Sequence, residues 1–203
     1  MLKLGILSST KATDMQAIID AINSKKLNAV ISIVISNKKD AFALERARKY
    51  GIKYVFIDSK GKEREDFDKE VANNLQECKV DLILLIGYMR ILSLWFVRNY
   101  INKIMNIHPS LLPAFAGGMD KEVHQEVLNY GCKITGCTLH FVDESIDCGP
   151  IIMQKAVEIA ENETADSLKE KVQKAEQEII LKAIDLFDKG KIKIKWNKVK
   201  ILQ

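Results

Sequence analysis

Residues 103–118 read KIMNIHPSLLPAFAGG, and the architecture of the whole chain can be worked out from this stretch. Lys103-Ile104-Met105 closes an apolar run with the character of a strand, and two of the chain's three prolines follow at Pro109 and Pro113. A proline disfavours helical backbone in the residue before it, so His108 and Leu112 are expected to be extended. Asn106 and His108 stand two positions apart and therefore project to the same side of an extended chain. An amide and an imidazole are thus expected together where a strand ends, which is where open α/β sheets hold ligands.

Upstream of this stretch, strand-like and helix-like segments alternate. Residues 2–7 (LKLGIL) and 29–36 (AVISIVIS) are apolar and too continuous to alternate, as strands covered on both faces require. Residues 52–57 and 80–86 read the same way. Helical spacing of Met15, Ile18, Ile19 and Ile22 follows the first strand, with Thr13 or Asp14 as its cap. Further helices are expected over residues 40–50, 62–77 and 91–100, and a strand over 101–107. This alternation predicts βαβ units and a parallel sheet.

Downstream, residues 133–142 and 150–159 are separated only by the polar turn 143–149, so the sheet should become mixed. Thr164 is positioned to cap a long helix to about Lys189, with Leu168, Val172, Ala175, Ile179, Ala183 and Leu186 as its buried stripe. The tail KIKIKW (191–196) alternates with period two and reads as an edge strand protected by lysines. No repeat or flexible linker interrupts the chain, and residues 1–203 are expected to form a single α/β domain.

At 203 residues, 47% apolar and 29% charged, the composition is that of a water-soluble globular domain. The net charge of +4 is small, and the lysines are mixed with acids, which argues against a nucleic-acid partner. The first strand begins directly after Met1-Leu2-Lys3, so no targeting leader is expected, and no run is long enough to span a membrane. Cys78, Cys132, Cys137 and Cys148 lack the spacing of a zinc site and are expected to be reduced thiols in a cytoplasmic protein, with no metal.

Taken singly, His108 and Asn106 are as readily structural as catalytic. Together they supply a donor and an imidazole for a reaction that develops negative charge on oxygen. Asp147 is the best candidate to orient the imidazole. It shares the turn 143–149 with Asp143 and Glu144, and three carboxylates this close require an ion partner or a raised pKa. The first turn, residues 8–14, contains no glycine. Lys11 and the hydroxyls there favour an anion, whereas Asp14 opposes one.

The motif Asn-Ile-His-Pro-Ser-Leu-Leu-Pro at 106–113, with GCTLHFVDESIDCGP at 136–150, closely resembles the folate-dependent formyltransferases. The likeness extends to residues 36–48, GYMRIL at 87–92 and the long C-terminal helix. It implies a Rossmann-like formyltransferase fold and formyl transfer from 10-formyltetrahydrofolate to the amine of glycinamide ribonucleotide, in purine biosynthesis. Asn106, His108 and Asp147 are implied as the catalytic trio, with His108 held protonated by Asp147.

The resemblance further implies a folate pocket lined by Met89, Arg90, Ile91 and Leu92, with Asn106 and the turn Asp143, Glu144, Ser145, Ile146 and Asp147. Arg64 would meet the glutamate tail of the folate. Ala12, Thr13, Asp14 and Pro109 would face the ribonucleotide, and Gln173 and Glu176 its ribose. Glu176 lies beside the apolar stripe of its helix and should be half-buried. In this family the first turn usually carries glycines, with Asn where this chain has Asp14, and residues 117–124 are longer than the commonest form. His124 is then a secondary site residue. A formyltetrahydrofolate hydrolase, a sugar-nucleotide formyltransferase and a non-catalytic binding module are the alternatives, and the protein is expected to be a monomer or homodimer.

Overall fold

The computed structural model describes residues 1–118 and 121–202. Its elements follow in the order β1 (Leu2–Leu7), α1 (Thr13–Asn23), β2 (Ala29–Ser36), α2 (Phe42–Lys49), β3 (Tyr54–Phe56), α3 (Arg64–Glu77), β4 (Leu82–Leu85) and α4 (Leu94–Asn99). Then come β5 (Ile104–His108), α5 (Lys121–Tyr130), β6 (Ile134–Phe141), β7 (Ile151–Glu158), α6 (Ala165–Asp188), β8 (Ile192–Lys195) and β9 (Lys198–Ile201). Seven strands form one sheet in the order β3-β2-β1-β4-β5-β6-β7. The first five are parallel. Strand β6 runs antiparallel to both β5 and β7, so the sheet is mixed, as the short turn at 143–149 requires.

Two apolar clusters cover the sheet. One joins its strands to buried residues of α1, α2, α5 and α6, and the other to those of α3 and α4. Because β1 lies between β2 and β4, the chain leaves β1 toward one face and β4 toward the other. The loops after these two strands therefore part, and a crevice opens at their C-terminal ends. Ser9 bridges it: its N–H donates to the Gly87 carbonyl (2.9 Å), and its hydroxyl accepts from Met89 N (2.8 Å) and donates to Asn37 Oδ1 (2.6 Å). Gly87 sits at φ +60, and a Cβ there would come within 2.1 Å of Thr10 Oγ1, so only glycine lets the two loops meet.

Several expected boundaries shift for local reasons. Helix α4 starts at Leu94 because Ser93 caps it, accepting a hydrogen bond from Phe96 N (3.2 Å). Strand β5 begins at Ile104, after a turn in which Asn102 takes φ +59, and it extends through His108. The stripe of α6 ends on buried Ile184, and Leu186 is only partly covered. The tail is not an edge strand of the main sheet. The chain reverses at Trp196 (φ +57), and β8 and β9 form a separate two-stranded hairpin. Lys193 faces Lys200 and Lys195 faces Lys198 across it, while Ile192, Ile194 and Val199 pack against the core.

All four cysteines are free thiols. No helix among the described residues is long and apolar enough to cross a membrane. Thr164 and Ser167 form a reciprocal capping box at the start of α6, the element that closes one face of the core. Thr164→Ala should lower unfolding stability by about 1 kcal/mol in a urea titration monitored by circular dichroism, without change in the native spectrum.

Candidate functional site

The antiparallel register of β5 and β6 sets Asn106 directly opposite His140, and His108 opposite Thr138. Asn106 and His108 point to one side, as the two-residue spacing demands. The turn after β6 folds back over them, and Asp147 enters with φ +52. One oxygen of its carboxylate, Oδ2, lies 3.3 Å from His108 Nδ1 and accepts from Gly117 N (2.9 Å). The other, Oδ1, accepts from Asn106 Nδ2 (3.3 Å) and is 3.6 Å from His140 Nε2. The three residues expected to act together are thus brought together, and His140 is a fourth member that the sequence reading did not single out.

The ring of His140 is oriented by the carbonyl of Phe141, 2.9 Å from Nδ1. A carbonyl can only accept, so Nδ1 carries the hydrogen and Nε2 accepts from Asn106 Nδ2 at 3.2 Å. Both hydrogens of the Asn106 amide then have partners, and the bond to Asp147 is the longer. His140 alternates with Thr138 on β6, opposite the motif, and that cross-strand pairing was the signal that would have found it.

The loop that follows Pro109 serves the same three side chains. It curls back so that His108 Nε2 donates to the Phe115 carbonyl (2.9 Å) and Gly117 N reaches Asp147. The fully buried Thr138 hydroxyl holds this loop: it donates to the Ser110 carbonyl (2.7 Å) and accepts from Leu112 N (3.0 Å). Gln154 on β7 adds a bond from Nε2 to the Leu112 carbonyl (2.9 Å).

The charge state of His108 departs from expectation. Both ring nitrogens face oxygen acceptors, which favours the protonated ring. However, the residue is only 3% exposed, and burial outweighs the Asp147 charge, pulling the imidazole pKa below its ordinary 6.5. The lowered pKa favours the neutral ring, with its hydrogen on Nε2 toward Phe115 and Nδ1 facing the carboxylate. Burial pushes the other way on Asp147, but the imidazole of His140, the bond from Gly117 N–H and the nearby His108 hold its pKa below 3.8. The ion partner that the acidic turn requires is found at Glu144. Arg98 on α4 grips Glu144 in a fork (2.7 and 3.2 Å), which keeps that exposed carboxyl below its ordinary range. Asp143 Oδ1 accepts from Ser145 N (3.0 Å).

These residues line a cleft of about 1050 Å³. Met89, Arg90, Ile91 and Leu92 line it, as does the turn Asp143, Glu144, Ser145, Ile146 and Asp147. So do Ala12, Thr13, Asp14, Pro109, His124, Gln173 and Glu176. Arg64 is not among the lining residues. It is exposed on the first turn of α3. Glu176 is 7% exposed, more deeply buried than half. The Gly-free turn does adopt a left-handed conformation, at Ala12 (φ 45, ψ 57), immediately before α1. Asp14 is buried and not presented to solvent. Of the longer segment 117–124, Met119 and Asp120 lie outside the described residues.

The sequence matches the formyl transferase family over residues 2–184. Phosphoribosylglycinamide formyltransferase of Escherichia coli K12 is 37% identical over 193 residues, 95% of this chain and 90% of that enzyme. The bovine trifunctional purine biosynthetic protein adenosine-3 is 40% identical over 196 residues, 96% of this chain. This chain spans only 19% of that larger relative. Glycinamide ribonucleotide transformylase 1 from Symbiobacterium toebii superposes with a TM-score of 0.95 at 39% identity, covering 100% of this chain and 95% of that one.

The lowered pKa of His108 fixes the sign of a pH effect. As pH falls below 6.5 the unfolded chain takes up a proton that the folded ring resists, so stability declines with acidity. Asp147 adds a further loss when pH falls below 3.8 toward its folded value. Urea midpoints measured at pH 7, 6 and 5 should decrease in that order, and His108→Asn should flatten this slope.

Proposed function

The chain belongs to the formyl transferase family, and from that premise we propose that it transfers the formyl group of 10-formyltetrahydrofolate to the primary amine of glycinamide ribonucleotide. The observation that carries this reading is the junction of Asn106, His108 and Asp147 in the lining of one cleft. Similarity to phosphoribosylglycinamide formyltransferase over 95% of the chain supports it.

In the proposed reaction the amine nitrogen bonds to the formyl carbon, and the carbonyl oxygen takes up negative charge. Asn106 redirects an amide hydrogen from Asp147 to that oxygen, exchanging its longer bond for one to the developing oxyanion. The attacking nitrogen loses a proton. In this reading His108 Nδ1 receives it, and the proton is then shared with Asp147 Oδ2, 3.3 Å away. The imidazolium so formed adds a positive charge beside the oxyanion when that charge is needed. Collapse of the intermediate breaks the bond to the folate nitrogen, which leaves with the proton. No covalent enzyme intermediate arises. Cys137 is suited to this bystander role, since burial pushes its thiol pKa up and keeps it un-ionised.

The folate is assigned to the end of the cleft lined by Met89, Arg90, Ile91, Leu92 and residues 143–147, with the exposed Arg64 meeting its glutamate tail outside the lining. The ribonucleotide is assigned to the end lined by Ala12, Thr13, Asp14, Pro109, Gln173 and Glu176. A cytoplasmic enzyme, acting as monomer or homodimer without a metal, completes the reading.

Asn106→Ala, His108→Ala and Asp147→Ala should each lower turnover by about a hundredfold or more while remaining folded. The assay follows donor consumption with and without glycinamide ribonucleotide. Donor loss that is independent of the amine would assign a hydrolase instead, and full activity in His108→Ala would overturn the mechanism.

A further inference from the structure

Helix α3 contributes nothing to the lining of the cleft, yet one of its residues lies at the root of the folate-side wall. Asp68 is 1% exposed, and its carboxylate Oδ2 accepts a hydrogen bond from Ser93 N at 2.5 Å. A buried carboxylate is costly unless it is bonded and balanced by positive charge. Burial pushes the Asp68 pKa up, and the bond from Ser93 together with the charges of Arg90 and Arg64 acts against that rise. Arg64 precedes Asp68 by four residues and so shares its helix face. Arg90 stacks over the ring of Phe67, the residue before Asp68, with 4.3 Å between its Cζ and the ring centroid. It also lines the cleft.

Ser93 is where this anchor branches. Its N–H is held by Asp68, while its hydroxyl caps α4 by accepting from Phe96 N. One residue upstream ends the segment 88–92, which forms the cleft wall. Downstream, α4 carries Leu94 and Val97 into the same lining and ends near Arg98, whose fork holds Glu144 of the opposite turn. The contacts from Asp68 through Ser93 and α4 to Glu144 thus connect both walls of the folate end. The Arg98–Glu144 pair is exposed and weak by itself, whereas the Asp68–Ser93 bond is buried.

We propose that Asp68 is a positioning residue for the formyl donor. It sets the location of residues 88–92 and the start of α4 through Ser93, and it holds Arg90 and Arg64 toward an anionic ligand. It touches no reacting atom and lies away from the ribonucleotide end. This deepens the proposed function and rests on it for the identity of the ligand.

The test compares Asp68→Asn, which keeps an acceptor but removes the charge, with Asp68→Ala, which removes both. In steady-state kinetics the KM for 10-formyltetrahydrofolate should rise about tenfold in Asp68→Asn and further in Asp68→Ala. The KM for glycinamide ribonucleotide should stay within about twofold, and kcat should change far less than the donor KM. Hydrogen exchange of the Ser93 amide should accelerate at least tenfold in Asp68→Ala and remain near the unsubstituted rate in Asp68→Asn. A donor KM unchanged in folded Asp68→Asn, or equal rises in both KM values, would overturn the proposal. If the unsubstituted protein turns over no formyl-folate, the functional reading fails by that result alone, and an unchanged Ser93 exchange rate would separately remove the anchor. Should Asp68→Ala not fold, Asp68→Asn still decides through the KM split.

Discussion

The antiparallel pairing of β5 with β6 is the constraint on which the site depends. A sixth parallel strand would have needed a crossover, and no residue of β6 would have returned at this register beside Asn106 and His108. Reversal instead places His140 against the amide and Thr138 against the imidazole position. It also sends the chain out of β6 toward the same end of the sheet from which β5 had arrived, and a turn of few residues brings it back as β7. The path of that turn is tight. A Cβ on Gly149 would lie 1.8 Å from the Phe141 carbonyl oxygen, so the turn can close against β6 only with glycine there.

Much of this arrangement could be read in the amino acids because it is written in local patterns. Continuous apolar runs such as residues 29–36 marked buried parallel strands, and Asn106 and His108 shared a face by simple alternation. His140 escaped because its role is a relation between two strands 34 residues apart, and only register reveals it. The charge on His108 escaped for a different reason. A nearby carboxylate is visible in a motif, but the depth of burial that outweighs it is a property of the packed loop over residues 109–118. The terminal hairpin was read as a single strand because the reversal between β8 and β9 rests on one positive-φ residue, Trp196, and not on a glycine.

The two halves of the cleft are built differently. Beneath Asn106 and His108 lies a network of buried polar atoms, in which Thr138 alone serves Ser110, Leu112 and Gln154. Such networks are stiff, because every displacement exposes an unsatisfied group. The turn 143–149 is held from outside by the exposed fork between Arg98 and Glu144 and by Asn197 Nδ2 donating to the Cys148 carbonyl (3.3 Å). The terminal hairpin therefore does more than cover apolar surface, since its tip touches the residue beside Asp147.

Ala12 carries a different kind of lesson. A left-handed alanine costs roughly 1–2 kcal/mol, whereas a methyl group removed from water returns about 0.8 kcal/mol, and Ala12 is only 2% exposed. The buried methyl therefore recovers part of the backbone cost, and the left-handed corner before α1 stands without a glycine at a net cost of about 1 kcal/mol or less.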